Sequence, residues 1–213
     1  AVQHSFFDPS EYPPPAPRLP GQPFIISYVG ALYATRQPAA LFEGLRHFLD
    51  RHQLGPDRVR FRWVGSVMGG PDLDRRLDQL GLTPYLDRLG QVAHAEALRL
   101  LCSSDVSVAI QAPDDLIHIP GKLFEAFGAR VPLLAISPPC ETTALIERTQ
   151  AGRTCPHDPA AVSDALSDLW AWRQTGQPWR YDEPALSAFH IDSALDRLTG
   201  LFDEAVSTCP PRA

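Results

Sequence analysis

The stretch Asp114-Asp115-Leu116-Ile117-His118-Ile119-Pro120-Gly121-Lys122-Leu123-Phe124-Glu125 concentrates the residues best suited to chemistry. Pro120-Gly121 is a helix-opening pair, and such a start leaves the amides of about Gly121 to Leu123 without helical acceptors. Free amides at a helix N-terminus attract an anion, and an adjacent lysine strengthens the attraction. Glu125 lies three residues beyond Lys122, so the two share one helix face. A carboxylate placed there can accept both hydroxyls of a ribose while a diphosphate lies across the amides. The same spacing also fits an exposed ion pair at an ordinary helix start, which contributes little.

Arg36 follows the run Gly30-Ala31-Leu32-Tyr33-Ala34-Thr35. An arginine in such a loop can clamp a phosphate bidentately, or it can be a solvated surface charge. His94 and His118 can contact a base or a sugar hydroxyl, and each fits equally a capping or partly buried histidine. No pair of histidines has metal-ligand spacing, and His94-Ala95-Glu96 is not the zincin pattern. Gly65-Ser66-Val67-Met68-Gly69 misses the nucleophile elbow by one place. Neither a dinucleotide fingerprint nor a P-loop is present, which disfavours a dehydrogenase and an NTPase.

These residues need elements to hold them. Phe24 to Val29 is a short apolar run ending at Gly30 and reads as a buried strand. Leu41, Leu45, Phe48, Leu49 and His52 recur at helical spacing, which predicts a helix over about 37–53. The alternation then continues. Strands are expected at Val59 to Val67, Leu89 to Val92, Asp105 to Gln111, Pro132 to Ile136 and Gly152 to Cys155. Helices are expected around Leu73 to Leu80, His94 to Cys102, Gly121 to Ala129, Glu141 to Arg148 and Val162 to Leu169. A last amphipathic helix carries Ile191, Leu195, Leu198, Phe202 and Val206, after an aromatic connection of Trp170, Trp172, Trp179 and Tyr181. Strands interleaved with helices predict an α/β, Rossmann-like three-layer domain with a parallel sheet of about six strands. Ligands of such sheets gather at the carboxyl ends of the strands, here the loops after Val29, Val64, Val92, Ile110 and Ile136. The domain is expected over 24–207. Residues 1–23 read as a proline-rich linker without an element of its own (Pro13, Pro14, Pro15, Pro17, Pro20), and 208–213 as a tail with Pro210 and Pro211.

A net charge of −6 argues against a sequence-blind grip on nucleic acid. Cys102, Cys140, Cys155 and Cys209 form no C-x-x-C pair, so reduced thiols in a cytoplasmic protein are expected. No apolar run is long enough for a transmembrane segment, and Ala1-Val2-Gln3-His4 does not read as a signal peptide.

The chain resembles the catalytic C-terminal domain of the group 1 glycosyltransferases, one half of a two-domain GT-B fold. Tyr28-Val29-Gly30-Ala31-Leu32-Tyr33 with Arg36 and Pro38 looks like that family's first strand and phosphate-facing loop. Ile119 to Phe127, followed by Pro132 to Ile136, is similar to its P-x-K-x-x-E signature. The helix-rich return after Gly152 and Asp158 extends the likeness, and Phe6 to Tyr12 resembles its interdomain linker.

The resemblance implies that Glu125 holds a ribose, and that Lys122 and Arg36 meet a diphosphate, with the backbone of Ile119, Pro120, Gly121 and Lys122 beside them. Gly30 would line the same crevice, with Val92, His94 and His118 near the base or sugar. Arg36 and Lys122 would be the catalytic charges. It implies a nucleoside-diphosphate sugar as donor and an acceptor held by a further N-terminal domain. The reaction would retain anomeric configuration, with no metal or cofactor. Two positions depart from the pattern: Ile117 where many members carry a first glutamate, and Ala31 where an arginine often follows the glycine. Asp114 or Asp115 is a candidate replacement for that glutamate. A nucleotide-sugar 2-epimerase and a non-catalytic nucleotide-binding module are the alternatives compatible with this architecture.

Overall fold

The computed structural model of the chain describes residues 5–14, 21–33, 36, 38–68 and 70–208. Ala1 to His4, Pro15, Pro17, Pro20, Ala34, Thr35, Gly69, Cys209, Pro210 and Pro211 lie outside the described residues.

In chain order the elements are β1 (Phe24–Val29), β2 (Leu32–Tyr33), α1 (Ala39–His52), β3 (Val59–Val64), β4 (Val67–Met68) and α2 (Gly70–Gln79). Then come β5 (Leu86–Gly90), α3 (His94–Cys102), β6 (Val106–Ile110), α4 (Gly121–Ala129), β7 (Leu133–Ile136) and α5 (Glu141–Thr149). The chain closes with β8 (Gly152–Cys155), α6 (Pro159–Gln174), α7 (Glu183–Ser187) and α8 (Ile191–Thr208). Six strands form one parallel sheet in the order β5-β3-β1-β6-β7-β8. The winding reverses between β1 and β6, which opens a crevice at their carboxyl ends. The expected parallel sheet is therefore present. A separate two-stranded pair, β2 with β4, links the loops that leave β1 and β3.

Both faces of the sheet are covered. On one, α1, α2 and α6 bury Leu41, Phe42, Leu45, Phe48, Leu77, Val162, Leu166 and Leu169 against Phe61, Trp63 and Val108. On the other, α3, α4, α5 and α7 bury Leu101, Leu123, Phe124, Phe127, Leu145 and Leu186. A fully buried Phe or Leu contributes about 1.5–3 kcal/mol, so the two layers hold the sheet rigid beneath the crevice. The helix starts are capped where the sequence offers acids: Asp158 accepts from the Ala161 amide at 2.8 Å and Asp182 from Ala185 at 3.0 Å.

Three expectations about elements need correction. The third main strand runs Leu86–Gly90, not Leu89 to Val92, so Val92 lies in the following loop. β5 is an edge strand with mostly exposed side chains, and its pairing with β3 rather than apolarity defines it. The second strand stops at Val64, and Val67 belongs to β4. Trp170 and Trp172 sit within α6, not in a connection. Trp170 meets Phe24 edge-on at 5.3 Å, and Trp172 meets Trp179 at 5.0 Å.

Residues 5–14, expected to be linker, are stitched to the domain. Phe7 is buried, its amide donates to the Phe189 carbonyl, and its carbonyl accepts from Ile191, both at 3.0 Å. Tyr12 lies so close to Gly128 that no Cβ would fit there. Cys102, Cys140 and Cys155 are free thiols. Among the described residues, no helix is long and apolar enough to cross a membrane.

Candidate functional site

Three adjacent strands end on glycines. The Gly30 amide donates to Val64 O at 2.7 Å and the Gly65 amide to Gly90 O at 2.6 Å, so the ends of β1, β3 and β5 form a bare backbone floor. Gly30 and Gly65 have φ of 113° and 121°, a region in which a side chain is strained. Above this floor is a cleft of about 520 Å³ lined by Gly30, Arg36, Val92, His94, Lys122 and Glu125 among others.

Lys122 rises from the first turn of α4 and crosses the carboxyl edge of the sheet. Its Nζ donates to the Val29 carbonyl and stands 3.8 Å above the centre of the Tyr28 ring. Its amine goes to this carbonyl rather than into an ion pair with Glu125. Burial pulls its pKa down to about 7, with Glu125 opposing and Arg36 assisting. Tyr28 is itself held by a bond from its hydroxyl to Ala31 O at 3.1 Å, and burial pushes its pKa up to about 12.

Arg36 reaches across the switch point, donating from Nη1 to the Ile110 carbonyl at 2.6 Å, with its guanidinium 6.0 Å from the Tyr33 ring centre. A guanidinium has five N–H donors, and among the described residues this bond engages one of them. Glu125 is half-buried on the same wall and makes no hydrogen bond among the described residues. At the start of α4 the Gly121 and Lys122 amides have no described acceptor. The Leu123 amide, expected to be free, donates to Pro120 O at 3.0 Å. The start of α4 thus presents two amides without a described acceptor rather than three.

The structure therefore brings together Gly30, Arg36, Val92, His94, Gly121, Lys122 and Glu125. It does not bring in the other three. His118 is exposed and turns to Asp115, with Nδ1 3.6 Å from Oδ2. Ile119 packs into the second core, and Pro120 is buried and supplies the α4 cap through its carbonyl. Asp115 turns back on its own loop, accepting from the His118 amide at 3.1 Å. Two residues that sequence reasoning left without a role are Tyr28, beneath Lys122, and Gln111, at the end of β6. The sequence marks Gln111 only as a polar residue at the end of a mostly apolar buried run, as an ordinary strand end would be marked too.

A family model described as glycosyl transferases group 1 matches residues 23–171, more than half of the chain. The chain belongs to that family. The matched span contains every cleft residue named above. No curated protein sequence matches significantly. Among solved structures, a glycosyltransferase from Rickettsia africae ESF-5 superposes with a TM-score of 0.76 at 14% identity, over 98% of this chain and 58% of that one. HepE of Anabaena, solved in complex with UDP, gives 0.72 at 16%, over 96% and 57%. The sucrose-phosphate synthase of Thermosynechococcus elongatus gives 0.69 at 17%, over 96% and 52%. At such identities the likeness is one of fold. This group 1 glycosyl transferase chain spans under two thirds of each of those structures.

Proposed function

We propose that this chain is the donor half of a glycosyltransferase, binding a nucleoside-diphosphate sugar for transfer to an acceptor held by a further domain. The observation that carries this reading is the convergence of Lys122, Arg36, two unpaired α4 amides and Glu125 on one crevice at the switch point. That HepE, of the same fold, was solved with UDP supports a nucleoside diphosphate as the ligand class.

The roles follow from charge and geometry. Glu125 accepts the two ribose hydroxyls. The Gly121 and Lys122 amides, the Lys122 amine and the free donors of Arg36 take the diphosphate. The loop between β5 and α3, with Val92 and His94, takes the base. When the bond from the anomeric carbon to the phosphate oxygen breaks, its electron pair stays on the diphosphate. Fixed cationic groups and amides aimed at that oxygen lower the barrier without reorganising. This accounts for leaving-group stabilisation by the chain's own residues, in line with a metal-independent reaction. Retention of anomeric configuration follows from the family resemblance.

Calorimetric titration with UDP, GDP, ADP and CMP tests the reading. One diphosphate is expected to saturate the domain, and Glu125→Ala to weaken it by about tenfold to a hundredfold, the worth of a charged hydrogen-bonding partner. Absence of binding by all four, in protein shown to be folded, rejects a preformed donor site. The domain alone is expected to transfer no sugar. Transfer by it to any acceptor overturns the assignment of the acceptor to a further domain.

A further inference from the structure

Gln111, which ends β6 at the switch point, is 2% exposed, and its carboxamide is spent on both sides. Nε2 donates to the carbonyls of Asp115 and, at 2.9 Å, His118. Oε1 faces the Ser137 hydroxyl at 3.3 Å and the Cys140 thiol at 3.6 Å. The two carbonyls on one side, which can only accept, fix which end is nitrogen. Its backbone is equally engaged: the amide donates to Ile136 O at 3.0 Å, and the carbonyl meets His157 Nε2 at 2.7 Å. One residue thus joins the ends of β6 and β7, the turn after β8, and the loop 112–119.

That loop has little else to hold it to the body. Its apolar side chains point outward, Leu116 55% and Ile117 92% exposed. The bonds Asp115 N to Ala112 O and His118 N to Asp115 Oδ1 are internal to the loop. Apolar packing resumes only at Ile119. Pro120 follows, and its carbonyl sets the first turn of α4 from which Lys122 and Glu125 project.

We infer that Gln111 is a positioning residue of the donor site, its carboxamide clamping the loop 112–119 so that the first turn of α4 meets the diphosphate in a fixed place. The inference rests on the donor-site reading above. Lys122 anchors that turn to Val29 from the β1 side, and Gln111 anchors it from the β6–β7 side. Glutamate is the same size but turns an oxygen toward the two loop carbonyls, and leucine offers them nothing.

Amide hydrogen exchange and calorimetry on Gln111→Glu and Gln111→Leu test this. In both variants the amides of Asp115 and His118, which are hydrogen-bonded within the loop, are expected to exchange about tenfold or more faster, the effect of losing two hydrogen bonds, with β1 and β7 protected as in the wild type. Affinity for the preferred diphosphate is expected to fall about tenfold, while the ranking among UDP, GDP and ADP stays unchanged because the β5–α3 loop is untouched. Unchanged loop exchange overturns the clamp. So does faster loop exchange with unchanged affinity, or loss of protection throughout the sheet in both variants. If the wild type binds no diphosphate, the donor-site reading fails, and the exchange experiment alone decides whether Gln111 holds the loop.

Discussion

Lys122→Met is expected to weaken nucleoside-diphosphate binding by about a hundredfold, the scale of a charged hydrogen-bonding partner, while making the domain more resistant to heat. The two effects share one cause. In the unfolded chain the amine holds its proton up to about 10.5, and in the folded domain only up to about 7, because burial disfavours the cation. Between those values the unfolded state binds more protons, so wild-type stability rises with pH from about 7 to 10.5. Below 7 the full cost of forcing charge into the site is present, on the order of 5 kcal/mol. Methionine keeps the apolar stem against Tyr28 and removes that cost, less what the bond to Val29 O contributes. Thermal unfolding at pH 6 measures the gain.

The same lysine sets the pH dependence of binding. A diphosphate recruits the ammonium form, so its pKa must rise in the complex and a proton is taken up. Above pH 7 the ligand is essentially fully ionised, and wild-type affinity should fall with a slope approaching tenfold per pH unit. At pH 8 the binding heat should vary with the ionisation heat of the buffer, whereas for Lys122→Met affinity and heat should show neither trend. A wild type that binds equally well from pH 6 to 9, with buffer-independent heat, denies Lys122 this role. Loss of heat resistance in Lys122→Met at pH 6 would assign the residue to the fold instead.

What the sequence revealed and what it hid follow a physical division. β1, β6 and β7 are central parallel strands buried on both faces, so Phe24–Val29, Val106–Ile110 and Leu133–Ile136 are mostly apolar runs, interrupted only by the buried Ser27 and Ser107, and legible within a residue. β5 was misplaced by two to three residues because an edge strand that carries Asp87 and Arg88 has no such run. α7 and the seat of Phe7 were invisible for another reason: five helical residues and one bridge share a core cluster with Phe124 and Phe127, far away in the chain. At the site, the start of α4 could be read from Pro120-Gly121, and Glu125 from its spacing. The destination of the Lys122 amine could not, since an i, i+3 partner was available and the real one, Val29 O, is 93 residues away. Gln111 was hidden in the same way, because nothing local distinguishes a clamp from a strand end.

Gly65→Ala is expected to be strongly destabilising, although the added group is one methyl. At φ of 121° an alanine is strained by about 1–3 kcal/mol. Its Cβ would also stand 2.6 Å from the Gly30 carbonyl oxygen and 2.7 Å from its carbon. Those are backbone atoms, held by the Gly30 amide bond to Val64 O and flanked by the Gly65 bond to Gly90 O, so they have no rotamer through which to yield. Relief requires β1 and β3 to separate at their carboxyl ends. With an overpacking cost of about 1–3 kcal/mol added, the total approaches half the stability of an ordinary domain. Gly30→Ala offers the contrast. Its Cβ would meet Lys122 Nζ at 2.6 Å, the far end of a flexible side chain, so the structure yields by moving the amine off Val29 O. It should lose less heat stability than Gly65→Ala and lose diphosphate affinity out of proportion. Gly81→Ala, with φ of 63° and open space around it, isolates the backbone strain, about 1 kcal/mol. Unfolding temperatures are thus expected to drop in the order Gly65, Gly30, Gly81, with binding selectively impaired at Gly30. An alanine at 65 that melts with the wild type means the strand ends are free to part, and the floor then cannot be what fixes Arg36 and Lys122 across the crevice.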